Sequence, residues 1–222
     1  MFSSTFDILP SKIFQANIKI SKDILDKVPR TPDQISYFAK HLGNYIVKPQ
    51  TIVKDHKDYY VAKDDLTNTW YMCLRQVMMI DIDLKFYDNS ECALKELRDS
   101  DLLFELYKSH SGYHAFCVSQ TFNYDDNNTH KIMFDLGCDY FYIVWASIRG
   151  WSVRLNFKKK ELLERLKDSS LTEPLYTYLG LIGNLNAPIN MKLKKLIKKH
   201  LNYSNRYINY PVIKSFIINS NN

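Results

Sequence analysis

Two aspartates at the end of an apolar run carry the strongest chemical signal in this sequence. Asp81 and Asp83 follow the run 77–80, which reads Val-Met-Met-Ile. Such a run is typical of a central buried strand, where residues two apart point the same way with Cα atoms about 7 Å apart. Two carboxylates placed there repel each other, and a divalent cation removes that repulsion. The pattern predicts a metal site, with solvated carboxylates at a strand end as the alternative.

A histidine follows in the next predicted hairpin. Residues 102–107 and 114–118 are typical of two strands, joined by a polar turn that contains Ser111 and a glycine. His114 begins the second strand and can hydrogen-bond a phosphate beside a metal site. Ser111 and the amides of the turn can assist, because the glycine permits close approach of a ligand. The alternative for His114 is a structural role.

A third carboxylate and two cations follow later in the chain. Asp139 precedes an aromatic, apolar segment, and Asp135, four residues earlier, competes with it as a third acid. Residues 151–157 alternate as a strand whose polar face includes Arg154, and Lys158 continues that face. Arginine offers phosphate a planar fork and lysine offers it a point charge. The alternative for the cations is an ordinary solvated strand face, and the alternative for Asp139 is a helix-cap or turn residue.

Helical patterns surround these elements. The sequence predicts helices that begin near residues 31, 90 and 158, and a basic amphipathic helix over 191–200. The aromatic segment 140–148 is compatible with a helix. The basic helix suits a nucleic-acid backbone, a partner protein or simple solvation.

Composition bounds the class of protein. The chain has 222 residues, of which 45% are hydrophobic and 24% charged, as in ordinary globular proteins. The net charge of +6 favours anionic partners. We find neither an apolar run of about 20 residues nor a secretory signal pattern, and we expect an intracellular protein without membrane association. The four cysteines form no Cys-x-x-Cys pair, which excludes a zinc ribbon and predicts reduced, mostly buried thiols.

Taken in order, these motifs resemble those of the archaeo-eukaryotic primase superfamily, which includes the primase-polymerases. Its first motif, Asp-hydrophobic-Asp at a strand end, is matched fully by residues 81–83. Its second motif, a small residue, any residue and then histidine, is matched by 112–114, with glycine in the small position. Its third motif, a hydrophobic residue and aspartate followed by a strand with arginine, is matched more loosely by 138–154. The resemblance covers roughly residues 70–160.

The resemblance implies an α+β, primase-type catalytic fold. An N-terminal αβ unit would accompany a mainly antiparallel sheet like that of RNA-recognition motifs, flanked by helices. Residues 1–170 would form the catalytic domain, with its motifs within 76–158, and 171–222 a helical basic C-terminal extension.

The resemblance also implies an activity and a site. Asp81, Asp83 and Asp139 would hold Mg²⁺ or Mn²⁺. The nucleotide-binding residues would be Ser111, His114, Arg154 and Lys158. The activity would be metal-dependent nucleotidyl transfer from nucleoside triphosphates, making primers on a single-stranded DNA template. With no Walker A loop in the sequence, unwinding would fall to a separate helicase.

Two other functions remain open. One is a catalytically inactive nucleic-acid-binding protein on the same fold. The other is a different Asp-x-Asp metal-dependent enzyme, either a sugar-nucleotide transferase or a nuclease. The richness in Asn, Ile, Lys and Tyr suggests an AT-rich genome such as that of a large virus, which would place the protein in the cytoplasm, a virus factory or the nucleus.

Overall fold

The computed structural model of the chain describes residues 50–64, 69–157, 161 and 174–208. These residues form an α+β fold with two antiparallel four-stranded sheets. Sheet I contains, in spatial order, β1 (Gln50–His56), β2 (Tyr59–Asp64), β3 (Trp70–Leu74) and β7 (Trp151–Arg154). Sheet II contains, in spatial order, β4 (Met79–Asp83), β6 (Gly112–Cys117), β5 (Leu103–Lys108) and β8 (Thr177–Gly183).

Helices connect and cover the sheets. They are α1 (Ser90–Arg98), α2 (Asn127–Asp135), α3 (Tyr140–Arg149) and α4 (Met191–Ile208), with a 3₁₀ turn at Leu84–Phe86. The predicted helix near residue 90, the hairpin of β5 and β6 and the basic helix are confirmed. The α+β class is confirmed as well. Lys158 and the predicted helix near residue 31 lie outside the described residues.

Both sheets share one apolar core. Met72 and Leu74 of sheet I and Met79 and Ile82 of sheet II are fully buried and belong to the same cluster. Trp151, at the start of β7, is also fully buried there. Because Met79 and Ile82 lie on opposite faces of β4, the apolar core covers both faces of that strand.

Strand β4 is an edge strand among the described strands, whereas its apolar run predicted a central one. Segment 138–139 covers its outer edge. The Asp81 N–H donates to Cys138 Sγ (3.3 Å), and the Asp139 N–H donates to the Asp81 carbonyl oxygen (2.7 Å). A covered edge strand and a central strand have the same apolar pattern, because both are buried on their two faces.

Helix α4 joins the two sheets through ion pairs as well as apolar contacts. Lys192 Nζ lies 2.8 Å from the buried Asp58 in the β1–β2 turn, and Lys194 Nζ lies 3.2 Å from the buried Glu105 on β5. The apolar side chains of α4 enter the shared core. The described part of 171–222 therefore contributes core, a strand and a helix, while the predicted boundary near residue 170 falls outside the described residues.

The structure bears on two expectations from the sequence: the state of the cysteines and the presence of helices that could cross a membrane. All four cysteines are free thiols, three of them buried, which confirms the predicted cysteine state. Within the described ranges, no helix combines the length and the apolar character needed to cross a bilayer.

We expect Gly112→Ala to destabilise the fold strongly. Gly112 pairs with Asp83, and a Cβ atom at Gly112 would lie 1.9 Å from the Ile82 carbonyl oxygen, so β4 and β6 would have to separate. Overpacking of this kind costs about 3 kcal/mol or more when backbone atoms are involved. Urea unfolding measures the loss. The exposed neighbour Ser111→Ala is the control, and equal stability of the two variants would contradict the close approach.

Candidate functional site

Strand β4 presents Asp81 and Asp83 on one face, as the sequence predicted. Both acids are partly exposed, with 33% and 22% of their side chains accessible, while Ile80 and Ile82 on the opposite face are fully buried. Asp81 pairs with His114 on β6. The strand therefore holds two acids at the accessible end of a rigid sheet.

Asp139 lies beside Asp81 and Asp83 because its backbone is hydrogen-bonded to the backbone of Asp81. Its N–H donates to the Asp81 carbonyl oxygen at 2.7 Å. Its side chain caps helix α3, where Oδ1 accepts from the Tyr142 N–H at 2.9 Å. Aspartate is a favoured N-cap because its carboxylate accepts from a free amide of the first turn. One residue thus begins the helix and brings a third carboxylate to the strand.

The electrostatics of Asp139 reflect its burial first and the neighbouring acids second. Burial raises the pKa of the Asp139 carboxyl above its ordinary value of 3.8. The hydrogen bond from Tyr142 lowers this pKa in part, whereas the charges of Asp81 and Asp83 raise it. The site therefore holds like charges in a partly desolvated position, an arrangement typical of functional sites.

Asp135, the competing third acid, has a different position. It is the last residue of α2, and its side chain is exposed. Asp139 is the acid that the backbone of β4 holds in place.

Lys85 places a positive charge beside these acids. Its ammonium lies 2.6 Å from Asp83 Oδ2 and 4.5 Å from the centre of the Phe86 ring. The hydrogen bond to Asp83 raises the pKa of Lys85, as do the charges of Asp139 and Asp81. In this structure the ammonium stabilises the acidic cluster that the sequence assigned to metal ions.

His114 is more deeply buried than we would expect for a side chain whose only role is to contact a ligand. It is 6% exposed, and its Nε2 lies 3.3 Å from Asp81 Oδ1. The Tyr176 ring lies 4.9 Å from the imidazole. Its Nδ1 is buried and has no hydrogen-bond partner among the described residues. The imidazole therefore stands behind Asp81 and can orient that carboxylate.

The remaining predicted nucleotide-binding residues occupy different positions. Arg154 is largely buried and lies 3.3 Å from Glu161. Burial lowers the pKa of Arg154, but Tyr176, Glu161 and Asp81 among its neighbours raise it by more. Arg154 on sheet I is thus within electrostatic reach of Asp81 on sheet II. Ser111 is exposed, and its carbonyl accepts from the Leu84 N–H (3.0 Å), directly after Asp83.

The three carboxylates of the site are chemically suited to bind a hard divalent cation. Three carboxylates supply the oxygen ligands that Mg²⁺ and Mn²⁺ prefer. Within the described residues, however, no three His, Cys, Asp or Glu side chains are arranged as ligands of one ion. Their present partners explain this, because Asp83 binds Lys85, Asp81 faces His114 and Asp139 caps its helix. A cation at this site would displace the Lys85 ammonium from Asp83.

A cavity of about 270 Å³ opens beside the acids. Asp83 and Asp139 line it on one side. Aromatic side chains form most of the rest, namely Phe86, Tyr87, Phe134, Tyr140 and Phe141. The acidic cluster and an aromatic cavity therefore share one border.

The sequence reasoning missed Lys85 and the aromatic wall. Both had a weak signal, because Lys85 and Phe86 follow directly after the second acid, and Tyr140 and Phe141 follow directly after Asp139. The role of residues that flank a motif becomes clear only when the structure shows that the motifs lie side by side.

Comparison of the chain with protein-family models, with curated proteins and with solved structures gives no match in any of the three.

We expect Asp139→Asn to stabilise the metal-free protein at pH 7 by about 1 kcal/mol. Asparagine keeps the helix cap and removes a charge that the fold disfavours. Because the folded-state pKa of Asp139 is raised, the wild type loses stability as the pH rises above 3.8, the ordinary value, so the advantage of the variant grows across that window. The stability advantage of the variant disappears at lower pH, where Asp139 of the wild type is protonated in both the folded and the unfolded state. Thermal unfolding with EDTA from pH 3 to 7 measures this.

The exposed Asp135→Asn is the control for that experiment and should change little at any pH. Lower stability of Asp139→Asn at pH 7 would mean that the three acids do not repel one another as described.

We expect Lys85→Ala to strengthen Mn²⁺ binding by a factor between about 1.4 and 5. The ammonium competes with a metal ion for Asp83, and a partly exposed pair of this kind contributes about 0.2–1 kcal/mol. Electron paramagnetic resonance of free Mn²⁺ measures the affinity. Lys95→Ala, on the exposed part of α1, is the matched control. Unchanged or weaker Mn²⁺ binding in Lys85→Ala would exclude competition at Asp83.

Proposed function

We propose that this chain is a metal-dependent nucleotidyltransferase of the primase-polymerase kind, which extends primers on single-stranded DNA. One observation carries the proposal: a backbone hydrogen bond brings Asp139, which is far along the chain, beside Asp81 and Asp83 at the end of β4. Burial and like charge raise the pKa of Asp139, so the acids are arranged against their own repulsion. Fixed carboxylates of this kind are what the chemistry of phosphoryl transfer needs.

The three carboxylates are the groups that would hold Mg²⁺ or Mn²⁺. Bound there, the ions supply activation of a primer 3′-hydroxyl and stabilisation of the charge at the transferred phosphoryl group. The chain's own contribution is rigidity. Asp81 and Asp83 are fixed by the ladder to β6, and Asp139 is fixed by its hydrogen bond to the Asp81 carbonyl.

His114 serves this proposal as a positioning residue. Its Nε2 lies against Asp81 Oδ1, so it can hold that carboxylate in one orientation. The burial of the imidazole favours this role over direct contact with a nucleotide. Its contact with the phosphates, implied by the resemblance, stays a prediction.

Cations around the acids would neutralise the triphosphate. Lys85, once displaced from Asp83, remains at the rim of the site on an exposed side chain. Arg154 is the second such group, since its guanidinium interacts electrostatically with Asp81. Both would stabilise the charge on the leaving pyrophosphate. Lys158 and Ser111 keep their predicted roles in nucleotide binding.

The template contact involves fewer charges of the basic helix than the sequence suggested. Lys192 and Lys194 pair with the carboxylates of Asp58 and Glu105. Lys195 and Lys198 are exposed on the same helix and are the groups that can follow a DNA backbone. A separate helicase supplies single-stranded template in this proposal.

A second function, nucleic-acid binding without catalysis, is favoured by one observation. The Lys85 ammonium is placed at Asp83 Oδ2, where a catalytic metal would bind. A chain that had lost the metal would gain from such an internal cation. The two functions differ in whether metal-dependent product forms.

Primer extension on a single-stranded template with labelled nucleotides and Mn²⁺ tests the proposal. We expect product from the wild type, and at least about 100-fold less from Asp81→Ala/Asp83→Ala, since even outer-shell changes at metal sites cost about 10–100-fold. Asp135→Ala should keep full activity and Asp139→Ala should lose it. Retained binding of single strands without product from the wild type would favour the non-catalytic function.

A further inference from the structure

The cavity beside the acids has walls of a distinct chemistry. Phe86 is 56% exposed at its rim, and Tyr140 and Phe141 pack edge to face with ring centres 5.7 Å apart. Phe134 from α2 and Tyr87 contribute to the lining. Phe86, the most exposed of these rings, offers a surface on which a planar ring can stack.

The aromatic wall of the cavity is held in place by a hydrogen bond to the backbone between α2 and α3. The Tyr87 hydroxyl donates to the Gly137 carbonyl oxygen at 3.0 Å, which ties the segment after β4 to the segment before α3. Gly137 has a φ of 75°, and a Cβ atom there would lie 2.6 Å from the Tyr87 hydroxyl. The cavity is therefore a fixed feature of the junction that also positions Asp139.

The size of the cavity limits its ligand. Pockets that enclose a whole drug-sized ligand measure about 300–1,000 Å³. At about 270 Å³, this cavity suits one ring system, with the rest of the ligand outside. Asp83 and Asp139 lie at its border, so the rest of that ligand would pass the acidic cluster.

We propose that this cavity binds the base of a nucleoside triphosphate by stacking, while the phosphates lie at the acidic cluster. The inference rests on the function proposed above. A nucleobase combines the flat apolar face that the walls require with polar edges that the carboxylate border tolerates. Stacking of this kind tolerates all bases, because every base has a π-face.

Equilibrium binding to the full chain in Mn²⁺ tests the proposal with three probes: ATP, inorganic tripolyphosphate and adenosine. We expect ATP to bind at least about tenfold more tightly than tripolyphosphate, since a stacked base contributes a factor of this order. Phe86→Ala should weaken ATP about tenfold and leave tripolyphosphate unchanged. Because Phe86 is exposed at the rim, its loss should not unfold the protein. Tyr178→Ala, an exposed aromatic on β8, is the control and should change neither ligand.

The outcomes separate this inference from the function on which it rests. Equal affinity for ATP and tripolyphosphate, with both dependent on Mn²⁺, would overturn base stacking and leave the metal-dependent site intact. Equal weakening of both ligands by Phe86→Ala would also overturn it. Adenosine binding that Phe86→Ala abolishes, without any gain from phosphates in Mn²⁺, would support the base cavity and overturn nucleotidyl transfer. Absence of binding by all three probes would overturn both.

Discussion

The hydrogen bond from the Asp139 N–H to the Asp81 carbonyl oxygen is the interaction on which this site depends. It closes the outer edge of β4, which would otherwise expose a free carbonyl. It also fixes the first residue before helix α3, so the cap that starts the helix and the acid beside the strand are the same residue. A single backbone contact thus determines both where α3 begins and how near the third carboxylate lies to the first two.

That arrangement has an electrostatic cost, which the structure offsets in three ways. Lys85 pairs with Asp83, His114 faces Asp81, and the amide of Tyr142 donates to Asp139. Burial still raises the pKa of Asp139, so the compensation is partial. Like charges that a fold keeps together against their repulsion are typical of functional sites, since stability alone favours their removal. In the function proposed here, a divalent cation would remove the remaining cost.

The two sheets contribute different residues to the candidate site. Sheet II carries Asp81, Asp83 and His114, and sheet I carries Arg154, which pairs with Glu161. Helix α4 fixes the relation between the sheets, because Lys192 pairs with a carboxylate on sheet I and Lys194 with one on sheet II. Part of the positive charge that suggested a nucleic-acid contact therefore serves to hold the fold together.

The sequence by itself determined the strand that ends in Asp81 and Asp83, the hairpin that carries His114 and the amphipathic face of α4. These features follow from periodicity, which is local and leaves a readable pattern. Only the tertiary structure decided that β4 lies at a sheet edge, that Asp139 rather than Asp135 meets it, and that Lys85 pairs with Asp83. Each of these depends on contacts between segments far apart in the chain or on side-chain placement. A covered edge and a central strand have the same apolar pattern, and a cap residue carries no mark of the strand it will contact.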